Sequence, residues 1–427
     1  MTDRTDIVVV GAGVAGLVAA ASAAVEGRRV TVLDAHPVGG RARSTVQQGF
    51  TLNLGAHALH RKGAFARELA RLGITPSGRS PAVDKGFVVK GGELHRLPVG
   101  ATSLMTTSAL KGRGRVAAAT MFARLPKLDA TTLRGRTVGE WLADMPADAR
   151  AMVEVFLRLS SYTDAPDLFD AGAAVTQFQL AMGGVTYVDG GWQSLVDALR
   201  GVVVANGGTV AESSEVVEVR RDGDDVVVRT GDGATVAGAV VLSAGGPATA
   251  ARLTGTAVAG ADRLGPPVEA SVLDLGMPEA SGPSAQIVLG MDRPMYLSVH
   301  APVAALAPEG TKLVAVMEYL RPGAPARAPG ETRARLVEHA EVSGIRRDDL
   351  VLERFLRSAI VHHGVPLASS GGLAGRPPVD ALAGSGMPGV FLAGDWVGGE
   401  GMLSDASAAS GALAGQMAAR HSARIHA

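Results

Sequence analysis

The apolar positions of this 427-residue chain change rhythm several times, and each rhythm predicts an element. Ile7-Val8-Val9-Val10 is an unbroken apolar run of the kind that forms a strand buried on both faces, and an alanine-rich helix follows from Leu17 to about Glu26. A second buried strand spans Arg29-Val30-Thr31-Val32-Leu33. Helical spacing returns from about Phe65 to Gly73, and alternation over 84–98 predicts a hairpin turning at Gly91-Gly92. Residues 103–160 keep helical spacing with almost no strand signal, and Thr137 is placed to cap one of those helices with Glu140 completing a capping box. A helix from Ser194 to about Val203 leads into β runs at 216–220, 226–230 and 234–242. Antiparallel strands are expected at 268–275, 284–289, 295–300 and 313–319, separated by turns such as Pro308-Glu309-Gly310-Thr311. A helix over about 331–344, a strand near 351–361, a strand Val390-Phe391-Leu392-Ala393 and a small-residue helix from Ser404 to about Arg420 complete the pattern. Units of βαβ type at both ends thus enclose helical and antiparallel insertions. The fold class expected is α/β, with one domain built from 1–80, 187–250 and 380–427 and an inserted α+β domain from 81–186 and 251–379.

The turn between the first strand and helix reads Gly11-Ala12-Gly13-Val14-Ala15-Gly16, and Asp34 ends the second strand. Each residue type has a task at a dinucleotide site. Gly11 permits the tight turn, Gly13 lets the backbone approach a pyrophosphate, and Gly16 lets helix and sheet pack closely; the helix N-terminus faces the phosphates and Asp34 accepts from a ribose. The loop by itself serves NAD as well as FAD. Residues 7–25 carry no charge and in isolation would pass for a membrane span or a signal-peptide core. Three glycines in six residues weaken such a helix, Met1–Asp6 holds two acids against one Arg, and the strand beginning at Arg29 leaves no room for a cleavage site. Export is not expected.

Composition narrows the picture further. With 41 basic and 41 acidic side chains the formal charge is zero, so no general attraction to nucleic acid is expected. The chain has no cysteine, which removes disulfides, thiolate nucleophiles, zinc–thiolate and iron–sulfur sites and any cysteinyl link to a flavin, and fits a cytoplasmic protein. No HExxH, CxxC or carboxylate cluster indicates a metal.

Three more motifs stand beside the glycine loop: Gly39-Gly40-Arg41-Ala42-Arg43-Ser44, five residues after Asp34; Tyr187–Leu195; and Val390 through Gly394-Asp395 to Gly411. Together the four resemble the flavin-dependent amine oxidase, protoporphyrinogen oxidase and phytoene desaturase superfamily over nearly the whole chain. The resemblance implies non-covalent FAD in a Rossmann-type, GR2-like domain. Gly40 and Arg41 would run their backbone past the phosphates, with Arg41 or Arg43 adding charge-assisted bonds. Gly55, Ala56 and His57 would line the edge of the flavin ring, and Val216 would bracket the adenine. Gly394 and Asp395 would bring a carboxylate to the ribityl or phosphate region. The last helix, near Leu403 and Ser404, would aim its amides at flavin O2, where the reduced ring carries negative charge. The chain departs from the pattern at Asp34, where flavin enzymes more often have Glu, and at Asn53, where relatives often carry Asp. It is also short for a phytoene desaturase.

The amine-oxidase branch places a lysine in a substrate-domain strand near flavin N5, together with an aromatic cage. Of the six lysines here, none lies in Val268–Met277, and four tyrosines and three tryptophans make a cage harder to build. His362 and His363, adjacent on a strand, point to opposite faces, so at most one enters a pocket. With Tyr319 they are the candidate catalytic groups, and Trp396 is expected beside the ring system. The resulting expectation is an FAD-dependent oxidoreductase acting on a small to medium apolar molecule, nearer the desaturase and protoporphyrinogen oxidase side. The alternatives are a flavin-containing amine oxidase, a flavin-dependent isomerase or cyclase with no net redox change, and an NAD-binding scaffold. The basic, partly apolar stretch 110–127, interrupted by Gly112 and Gly114, suits an ordinary exposed face or a weak peripheral membrane contact.

Overall fold

The computed structural model describes residues 3–425. One sheet runs in the order Thr209–Ala211, Val30–Leu33, Asp3–Val10, Ala234–Leu242, Asp225–Thr230, Val216–Asp222, with Val390–Leu392 also paired to Ala234–Leu242. The members from Thr209–Ala211 to Ala234–Leu242, and Val390–Leu392, run parallel, whereas the 216–230 hairpin is antiparallel. Ile7, Val8 and Val9 are wholly inaccessible, as an unbroken apolar run demands of a strand covered on both faces. Val10 is in register with Leu33 and with Leu242, and Leu242 with Leu392, so the carboxyl ends of these strands share one edge of the sheet. That edge is where ligand crevices form in open α/β sheets.

Helices Val14–Ala24 and Leu403–Ile425 cover the sheet and lie against each other through small residues. A Cβ on Gly411 would stand 2.4 Å from the Ala15 carbonyl oxygen, and one on Gly415 2.3 Å from that of Ala19. The small-residue pattern of the last helix is therefore a packing requirement of the first.

A second sheet orders Leu352–His362, Val268–Pro278, Thr311–Leu320, Met295–Ala301, Ile287–Gly290, Gly86–Lys90 and Glu93–Arg96, antiparallel except where Ile287–Gly290 meets Gly86–Lys90. Its faces separate with the period of two that strands impose. Leu273, Leu275, Val314 and Val316 pack with Leu336 and Val337 of helix Pro329–Val342, while Ala270, Val272, Met317 and Tyr319 join a cluster with Ala118, Met152 and Val155. The expected hairpin forms, with Gly91 and Gly92 at φ 61° and 76°, the left-handed pair that a tight primed turn requires. Thr137 and Glu140 form the expected capping box, Oγ1 accepting at 3.1 Å and Oε2 at 2.8 Å, although the helix they begin is a single turn, Val138–Trp141.

The 103–160 stretch resolves into helices Ala101–Thr106, Gly112–Arg124 and Ala147–Ser161, and a further helix, Ala171–Ala181, lies beyond it. Gly112 and Gly114 do not break the second of these. Asp148 accepts the Lys111 N–H at 3.1 Å, and only a glycine at 114 leaves room for that carboxylate, since a Cβ would fall 2.0 Å from it.

Candidate cofactor and substrate site

The shared strand edge opens into a cavity of about 1680 Å³ that continues toward the second sheet. Pockets for one drug-sized molecule span roughly 300–1,000 Å³, so this one has room for a dinucleotide and a second ligand. The glycine loop forms one wall. Gly11 has φ +102°, and a Cβ on Gly16 would lie 1.9 Å from the Gly11 carbonyl oxygen. Ser243, at the end of Ala234–Leu242, donates to that same oxygen at 2.9 Å and fixes the turn. A Cβ on Gly13 would meet nothing within 4 Å; the loop is bare on its cavity side. Asp34 accepts the Ala12 N–H at 2.6 Å and the His36 N–H at 2.8 Å, one on each oxygen, which leaves each oxygen acceptor capacity for a hydroxyl.

Gly40, Arg41, Arg43, Gly55, Ala56, His57, Val216, Gly394, Asp395, Leu403 and Ser404 line this same cavity, and His363 joins them. Gly16 sits behind the loop as a packing residue. Arg41 is already engaged by the protein: its Nη1 donates to Asp395 at 2.6 Å and to the Val361 carbonyl at 2.8 Å. Arg43 lines the cavity as well, and its buried Nε has no protein partner. Asp395 also receives the His363 ring Nδ1 at 2.9 Å. Burial alone would raise its carboxyl, but Arg41 and His363 outweigh this and hold it far below the usual carboxylate range.

His57 has its Nδ1 2.9 Å from the Gly55 carbonyl, and its ring meets Trp192 edge-on at 4.7 Å. Burial lowers its pKa, helped by Arg41 and Arg354, so the ring is neutral and Nδ1 carries the proton toward Gly55. Asn53, unexplained in the sequence, accepts the Trp192 backbone N–H at 3.0 Å and the Ser44 hydroxyl at 2.7 Å. Leu403 opens the last helix at φ +56°, a strained conformation for a non-glycine residue that places its backbone on the cavity wall.

Two of the three candidate catalytic groups lie elsewhere. His362 is buried away from the cavity, with its ring nitrogens 3.0 Å from Thr163 Oγ1 and the Gly364 carbonyl. Tyr319 is buried in the cluster beneath the cavity and does not line it. Trp396 also points into the core, its Nε1 3.3 Å from the Gly245 carbonyl. The scarcity of aromatic residues proved misleading: Tyr162, Tyr187 and Tyr296 all face the cavity with Trp192, Phe156 and Phe178. Periodicity carried no sign of this, because the residues come from five different elements and their flanks, Tyr296 from the second sheet and the rest from 156–192. Ala270 and Val272 stand where the resemblance would place a lysine, and Val272 lies within 3.4 Å of a Cβ built on Gly55. Among the described residues the cavity is lined by no lysine, and its carboxylates, Asp34, Glu215 and Asp395, belong to the dinucleotide side.

The profile of the flavin-containing amine oxidoreductases matches residues 14–417. The chain belongs to this family. Solved structures share the fold: an oxidoreductase from Methanosarcina mazei (20% identity, TM-score 0.75, covering 96% of this chain and 99% of that one), a candidate protoporphyrinogen oxidase from Exiguobacterium (17%, 0.70, 97% and 98%), and putrescine oxidase bound to putrescine (16%, 0.71, 100% and 100%). None of the curated proteins is a detectable match in sequence. This member of the family is an FAD-dependent oxidoreductase, and the bare Gly13 wall and the helix start at Leu403 both fit that cofactor.

Buried histidines give the enzyme an acid limit. Burial pushes His300 down to about 3 and His339 and His362 down to about 4. Each stays neutral in the fold where the unfolded chain, with a pKa of 6.5, takes up a proton, so stability present above pH 6.5 is lost as pH falls toward 4. Asp274, which burial pushes up to about 6 against the pull of Arg354, protonates first in the fold and offsets one of the three. His57, held neutral by the same cause, adds to the loss. Thermal melting at saturating FAD should therefore fall steeply between pH 6 and 4; a flat melting temperature across that window would contradict the burial of these rings.

Proposed function

We propose that this flavoenzyme dehydrogenates an apolar molecule of small to medium size, as a desaturase or protoporphyrinogen-type oxidase rather than as an amine oxidase. The observation that carries this is the far end of the cavity, walled by Tyr162, Tyr187, Tyr296, Phe156, Phe178 and Val272 and lacking both a carboxylate for an ammonium and a lysine. Bound FAD supplies the hydride acceptor. The chain's own part is to hold the donor and exclude water, which apolar walls do well. Burial pushes the phenols of Tyr162, Tyr187 and Tyr296 upward, so they remain protonated and act as hydrogen-bond donors, not bases.

The mouth favours an apolar donor as well. Helices Ala101–Thr106 and Gly112–Arg124 contribute Leu104, Ala119 and Phe122 to the wall, while Met105 and Val116 on the same helices are 66% and 67% exposed. Arg113, Arg124 and Lys127, on and just beyond the second of these helices, are exposed as well. This rim suits weak, peripheral contact with an anionic lipid surface from which the donor is drawn; no described helix is long and apolar enough to cross a membrane. Under anaerobic mixing, polyprenyl or porphyrinogen-like donors should bleach the visible flavin band and primary amines should leave it unchanged. Bleaching by amines alone would overturn the proposal.

A further inference from the structure

We propose that Arg376 is an electrostatic positioning residue for the cofactor: a buried cation without a counter-ion, set behind the start of the last helix, that favours the negatively charged, reduced state of the flavin. The inference rests on the FAD site described above. Arg376 is only 4% exposed. Its Nη1 donates to the Gly401 carbonyl at 2.8 Å, two residues ahead of Leu403 at the cavity wall. Its Nε and Nη2 are buried with no hydrogen-bond partner, and the guanidinium pairs with no carboxylate among the described residues. Asp395, the carboxylate whose field reaches it, is already shared by Arg41 and His363. The segment is also pinned, because the Pro377 carbonyl accepts the Gly398 N–H at 2.9 Å. The guanidinium is thus held against the 398–401 loop, out of contact with water.

A buried charge without a counter-ion carries the full desolvation penalty with no Coulombic return, so removing it in favour of an apolar side chain of similar size should not destabilise the fold. Residues that break a local rule at a stability cost are expected at functional sites. Here the charge adds to the positive end of the helix that begins at Leu403, and both favour an anion at the same stretch of cavity wall. A structural clamp and an electrostatic group then make opposite predictions when Arg376 is replaced.

The test compares wild type with R376M and R376K. Flavin midpoint potentials would be read by dye-equilibrated reduction, the affinity of oxidised flavin for sulfite by bleaching, and apoprotein melting separately. R376M should disfavour the reduced form at least tenfold, which is about 30 mV for a two-electron couple, and weaken sulfite binding by a similar factor. Its apoprotein should melt no lower than wild type. R376K, which keeps the charge, should stay within threefold of wild type in both flavin readouts. Unchanged potential and sulfite affinity in R376M, or R376K falling as far as R376M, would overturn the proposal. An R376M protein that unfolds or loses its flavin would overturn it too, in favour of a clamp. Wild-type protein without flavin would instead sink the cofactor site on which the inference rests.

Discussion

Gly16→Ala leaves the enzyme unable to retain FAD. The added Cβ would stand 1.9 Å from the Gly11 carbonyl oxygen and 2.4 Å from Ser243 Oγ, contacts that neither a rigid backbone nor the hydroxyl holding it can accept. The turn must shift, and the Ser243 bond to Gly11 that fixes it is lost. A loop amide that would hold the pyrophosphate contributes roughly 1.5–3 kcal/mol through each charge-assisted bond, so displacing two such amides should lower FAD affinity by roughly a hundredfold or more. Gly13→Ala makes the complementary case. Its Cβ meets no protein atom within 4 Å, so the apoprotein should melt as wild type does while FAD affinity drops, because the methyl fills the cofactor's place. Equilibrium dialysis and apoprotein melting separate the two. A Gly13→Ala protein with undiminished FAD affinity would show that no phosphate approaches this loop.

Asp395→Asn is expected to be nearly as damaging, for an electrostatic reason. The carboxylate is buried between Arg41 at 2.6 Å and His363 Nδ1 at 2.9 Å, and it holds together strand end, GGR turn and the final strand of the second sheet. Removing one member of a buried pair while leaving the other charged costs about 3–5 kcal/mol; Arg41 is partly exposed, which places the expected loss near the lower figure, about 3 kcal/mol. The double variant Arg41→Met, Asp395→Asn should lose less than the sum of the single changes, since it leaves no orphaned guanidinium. Urea unfolding of the four proteins measures this directly. Strict additivity would mean that the Arg41–Asp395 contact carries no coupling and that another feature places Asp395.

Local chemistry explains how much of this was legible beforehand. The strand ends, the glycine turn and Asp34 could be read because each is a short-range requirement: a positive φ at Gly11, a close approach at Gly16, an acid at a strand terminus. The hairpin at Gly91-Gly92 and the Thr137–Glu140 cap were legible for the same reason. What escaped was long-range. Asn53 finds Trp192 from 139 positions away, and Arg41 Nη1 finds Asp395 from 354 positions away. Tyr162 reaches the cavity from a helix end at φ +56°, a conformation that no pattern of apolar residues signals. His362 ends its strand and His363 lies just beyond it, so the expected alternation does not decide their directions: Thr163 and Gly364 hold the His362 ring in the core, and Asp395, in the turn after the last strand, holds His363 at the cavity.

The most direct test of the account is a single anaerobic turnover with product mass determined. One equivalent of a polyprenyl or porphyrinogen-like donor that bleaches the flavin should yield a product lighter by two hydrogens, in a one-to-one ratio with flavin reduced. A product of unchanged mass, formed while the oxidised spectrum is recovered without any acceptor, would contradict dehydrogenation and make the enzyme an isomerase or cyclase.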